Sequence, residues 1–79
     1  MLTMLLHRNP ARSFYRVEIS YNLFDEYSVL REWGQCGRSR GARLNWFSNL
    51  RDAVQAADHW RDTAQSRGYH LTERQAGRG

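Results

Sequence analysis

The chain contains no lysine; all twelve of its basic residues are arginine. Codon composition alone is enough to produce such a bias, but the physical consequence is the same. Every cation is a planar, permanently charged fork of donors suited to carboxylates and phosphates. Cysteine is nearly absent as well. Cys36 stands alone, which excludes an intramolecular disulfide and fits a reducing compartment, with the cytoplasm as the expected location. No long apolar run occurs. The opening MLTMLL is short, has no positively charged flank and precedes no cleavage-like site, so it reads as neither signal peptide nor membrane span.

Metal and catalytic constellations are equally scarce. His7, His59 and His70 are dispersed and share one cysteine, whereas a metal site needs three or four converging ligands. Ser13, Ser39, Ser48 and Cys36 have no recognisable base and orienting partner. Asp52, Asp58 and Asp62 lie along the polar side of a helical stretch. The expectation is a protein without catalytic residues, metal or cofactor.

What is present is a single small domain. At 79 residues the chain buries only about 60% of the surface its unfolded form exposes, so its stability is expected to be marginal. Hydrophobic residues at 41% and charged residues at 25% are ordinary globular values and argue against wholesale disorder. The formal charge is +4 and the pI about 10.0, which favours anionic partners, nucleic acid first.

The pattern changes period once. In SFYRVEISY, Tyr15, Val17, Ile19 and Tyr21 alternate with Phe14, Arg16, Glu18 and Ser20, the period of a half-buried strand. After the turn residues of NLFDEY, YSVLREW resumes that period, which makes an antiparallel hairpin. A glycine-and-arginine stretch, GQCGRSRG, reads as a loop, and ARLNWF as a third strand. From Leu50 the apolar positions Ala53, Val54, Ala57, Trp60 and Ala64 recur every three or four residues, predicting a helix from about Leu50 to Ser66. Ser48 or Asn49 suits its start, and Arg67 followed by Gly68 suits its end. MLLH and YHLTER are candidate first and last strands. The fold class is therefore α+β: an antiparallel sheet of three to five strands with one helix on one face. Trp60 and Trp46 are assigned to the core.

FYRVEI, the WGxxG core of LREWGQCG, the aromatic after the basic stretch and the closing RGY occur in the order of a WGR domain, and the chain resembles that family from about Leu5 to Leu71. Residues 72–79 are expected to be a disordered tail. The resemblance implies a module that grips DNA at breaks, as in poly(ADP-ribose) polymerases, here in the form of a short standalone bacterial chain. Trp33 and Gly34 match the signature. Its third position is Gln35 instead of arginine, which weakens any partner-domain contact that arginine makes.

Gly34, Gly37 and Gly41 do not form a phosphate-cradling loop, because their spacing matches neither nucleotide motif and leads into a strand. Arg38, Arg40 and Arg43 form an acid-free basic patch that Arg31 extends. Such a run is often only solvated surface, and Trp33 is otherwise core packing. With the resemblance, Trp33, Gly34, Arg31, Arg38, Arg40 and Arg43 become the expected nucleic-acid contacts, with guanidinium groups on phosphates and a ring against sugar or base. The competing expectation is a protein-interaction or homodimerisation module that uses the sheet surface or an edge strand.

Overall fold

The computed structural model describes residues 2–9 and 12–76. In chain order the elements are β1 (Leu2–Arg8), β2 (Ser13–Tyr21), β3 (Tyr27–Gln35), β4 (Arg38–Phe47), α1 (Leu50–Ser66) and β5 (His70–Ala76). The strands form one antiparallel sheet in the order β4-β3-β2-β1-β5. Both candidate terminal strands exist, and they pair with each other. The last runs two residues beyond YHLTER, to Ala76, and residues 72–76, which the expected tail also claimed, continue β5 as a ladder against β1. Residues 77–79 of that expected tail lie outside the described residues.

The alternation of β2 and β3 sorts the sheet into two faces. Register places Tyr15 opposite Trp33, Val17 opposite Arg31, Ile19 opposite Val29 and Tyr21 opposite Tyr27. Helix α1 covers this face. Met4, Leu6, Val17, Ile19 and Val29 are fully buried beneath Ala53, Ala57 and Ala64. Each of those aliphatic side chains stabilises the fold by about 1.5–3 kcal/mol. Asn49 caps the helix: its Oδ1 accepts from the Asp52 backbone N–H at 2.8 Å, and its Nδ2 donates to the Asp52 carboxylate at 3.0 Å. The chain leaves the helix through Arg67 and Gly68, the latter at φ +92°, where glycine carries no side-chain penalty.

The opposite face of the sheet is bare of any helix. Trp46 lies there, opposite Ser28, and is 54% exposed, so its assignment to the core is corrected. Trp60 does face the sheet, but it is half-buried at the margin of the aliphatic core.

Two turns organise the β2–β3 and β3–β4 hairpins. Between β2 and β3 the Asn22 side chain accepts from the backbone N–H groups of Phe24 (2.8 Å) and Glu26 (3.1 Å) and donates to the Glu26 carboxylate (3.0 Å). The tip these bonds fix presents Leu23 at 97% exposure and Phe24 at 80%. Between β3 and β4 only Cys36 and Gly37 intervene, both with positive φ (55° and 78°). That is the two-residue hairpin turn whose twist matches its strands. The basic stretch expected to be a loop is therefore mostly strand: β4 begins at Arg38.

Candidate nucleic-acid interface

Strand β4 is an edge, hydrogen-bonded only to β3 among the described residues. A bulge opposite Trp33 and Gly34 leaves Arg40 as the extra residue, since Gly34 pairs with Ser39 and Trp33 with Gly41. Arg38, Arg40 and Arg43 are all exposed, and no carboxylate lies within ion-pair distance of them among the described residues. Register puts Arg43 directly opposite Arg31. Like charges at that position repel, and a bound anion relieves the repulsion.

The two signature residues serve opposite faces. Trp33 points to the helix side and lies over Gly41, where a Cβ would come within 2.6 Å of its indole carbons. Tyr15 sits beside it, the two rings inclined by 17° with centroids 6.3 Å apart. Gly34 is buried and faces the bare side, where the Phe14 ring and the Arg38 carbonyl occupy the space a side chain needs. Gly34 is thus a packing requirement, whereas Trp33 is half-buried with part of its ring accessible. Gln35, in the third signature position, is the last residue of β3 and pairs with Arg38.

Beyond Trp33 the structure assembles a cleft that the sequence reading did not foresee. It holds about 280 Å³ between the C-terminal half of α1 and the sheet, with Tyr15 and Trp33 below and Arg8, Arg31, Trp60, Arg67 and Tyr69 around it. The guanidinium carbon of Arg31 lies 3.6 Å from the centroid of the Trp60 ring. Its Nε is buried and donates to nothing among the described residues. Arg8 stacks on Tyr69 at 4.7 Å while its Nη1 donates to the Arg67 carbonyl at 3.0 Å, which satisfies the end of the helix. No acidic side chain lines the cleft. Arg31 is therefore the joint between the cleft and the arginine strand. Among the described residues no group of three or more histidine, cysteine or acidic residues converges to hold a metal, and no helix is long and apolar enough to cross a membrane.

A sheet with one helix, an arginine-bearing edge and an aromatic, cation-lined cleft groups side chains whose chemistry suits anions and rings. The model of the WGR domain family matches residues 2–77, nearly the whole chain, and the chain belongs to that family. WGR domains are known as nucleic-acid-binding modules of proteins like the poly(ADP-ribose) polymerases. No curated protein sequence matches the chain.

Proposed function

We propose that this WGR chain is a non-catalytic module that binds DNA, with ends or nicks as the preferred target. Arg38, Arg40 and Arg43 contact phosphates, Arg31 supports them from the adjacent strand, and Trp33 packs its accessible ring against a terminal sugar or base. Gly34 acts indirectly, by keeping β3 and β4 in register. The observation that carries this reading is the edge strand itself: three exposed guanidinium groups with no carboxylate partner among the described residues, one of them facing a fourth across the ladder. Phosphate contacts of this kind position a protein without reading sequence.

The test is a titration of blunt, nicked and single-stranded oligonucleotides at several salt concentrations. Three phosphate contacts give log K against log salt a slope of about −2.7, at about 0.9 per contact on duplex. Replacing Arg38, Arg40 and Arg43 together by glutamine removes most of that slope and weakens binding to every sequence alike. Trp33→Ala, once shown to be folded, keeps the slope and loses about 1–3 kcal/mol of any preference for ends. A triple variant that binds duplex as tightly as the unmodified chain at every salt concentration rejects the proposal.

The bare sheet face supports a second reading, contact with a protein partner. Leu44 and Trp46 are each about half exposed there, and association through them is insensitive to salt.

A further inference from the structure

The acid-free cleft and the β2–β3 turn lie at opposite ends of the sheet, and each offers what the other lacks. The turn carries the two most exposed large apolar side chains among the described residues, Leu23 and Phe24. Asp25 and Glu26 follow them directly. The Asn22 bonds hold this tip in one shape, so little ordering cost attends its docking. The cleft presents aromatic rings and the guanidinium groups of Arg31 and Arg67, with no carboxylate among the described residues to neutralise them.

We propose that the tip of one copy of this chain docks into the cleft of the next. Phe24 enters among Trp33, Trp60 and Tyr69, while Asp25 and Glu26 meet Arg31 and Arg67. The occupant has to come from another molecule. From Tyr15 at the cleft to Tyr21 at the tip the strand rises about 20 Å, so a chain cannot reach its own cleft. The carboxylates beside Phe24 repel nucleic acid and anionic membranes, and both complementary halves are present on every copy. The contact is heterologous, linking different patches of identical molecules, so it builds rows or rings and not a closed twofold pair. It is also small, below the roughly 1,200 Å² of stable complexes, and therefore weak and dependent on concentration. This inference does not rest on the nucleic-acid reading: Arg38, Arg40 and Arg43 take no part in it, and Arg31 and Trp33, which the two readings share, line the cleft whether or not nucleic acid binds.

Sedimentation velocity and NMR diffusion of the whole chain, from about 20 µM to about 1 mM, bracket the affinities of such small contacts. The unmodified chain is expected to form progressively larger species, fewer of them at high salt. Phe24→Ser, at a site too exposed to affect folding, is expected to weaken association at least about tenfold, because burial of one phenylalanine is lost. The pair Arg31→Gln and Arg67→Gln is expected to do the same from the other side, with its fold verified by amide dispersion. Mixing the two variants restores one good tip and one good cleft, so the mixture stops at a dimer. A chain that stays monomeric throughout overturns the proposal, even if a mononucleotide then perturbs the cleft. So does association that Phe24→Ser leaves intact, which locates the contact on the bare face.

Discussion

Gly34 and Gly41 each leave room for one aromatic ring, on opposite sides of the sheet, and a substitution at Gly34 differs in its consequence from one at Gly37 in the turn. A methyl group at Gly34 meets the Phe14 ring at 2.6 Å and the Arg38 backbone, which cannot move without breaking the ladder. Gly34→Ala is expected to destabilise the fold by about 1–3 kcal/mol, the usual cost of overpacking, measured as a shift in denaturant midpoint. Gly37→Ala meets no atom, and its cost is only that of a side chain at φ +78°, about 1–2 kcal/mol. Unchanged stability in Gly34→Ala contradicts the packing described. Trp60 was legible in part, because it lies on the helical stripe that faces the sheet, although it is only half-buried at the margin of the core. Trp46 failed because alternation separates two faces without saying which one the helix covers.

At the scale of elements the helix was legible in its bounds and its glycine exit, which follow from local rules that need no tertiary information. The structure settles the cap on Asn49 between the two candidates Ser48 and Asn49, and leaves Val54 of the expected apolar stripe exposed. Asn49→Ala is expected to cost about 1 kcal/mol of stability with an unchanged denaturant slope, checked by equilibrium unfolding. Strand β4 was legible only in its second half. Arg, Ser and Gly have little intrinsic preference for strands, and what orders residues 38–42 is the ladder with β3. An edge tolerates such residues, and its charges discourage pairing with a stranger. The cleft was not legible, because Arg8, Tyr15, Trp60 and Tyr69 are distant in sequence and meet only through the sheet order and the helix crossing. The one signal available was the aromatic enrichment itself.

Across the whole molecule, β5 completes the sheet although all its side chains are exposed. Its contribution is to the backbone of β1, which is otherwise an apolar strand with an open edge. A chain ending at Leu71 is therefore expected to lose most of the β1–β5 ladder and to associate through the uncovered edge of β1, seen as light scattering on warming. Retained solubility and unfolding temperature in that shortened chain show that β5 is dispensable and that the boundary expected at Leu71 is adequate.

The turn that joins β3 to β4 has a use at the bench. Cys36 is the only thiol, it is exposed, and its positive φ fixes where it points. A maleimide dye or nitroxide attached there labels each molecule once, two residues from Arg38. Without lysine, side-chain amine chemistry cannot scatter a second label over the surface. A probe at that corner sits beside the arginine strand and at the same end of the sheet as the cleft, so arrival of a nucleic acid and docking of a second copy are both read from one labelled preparation.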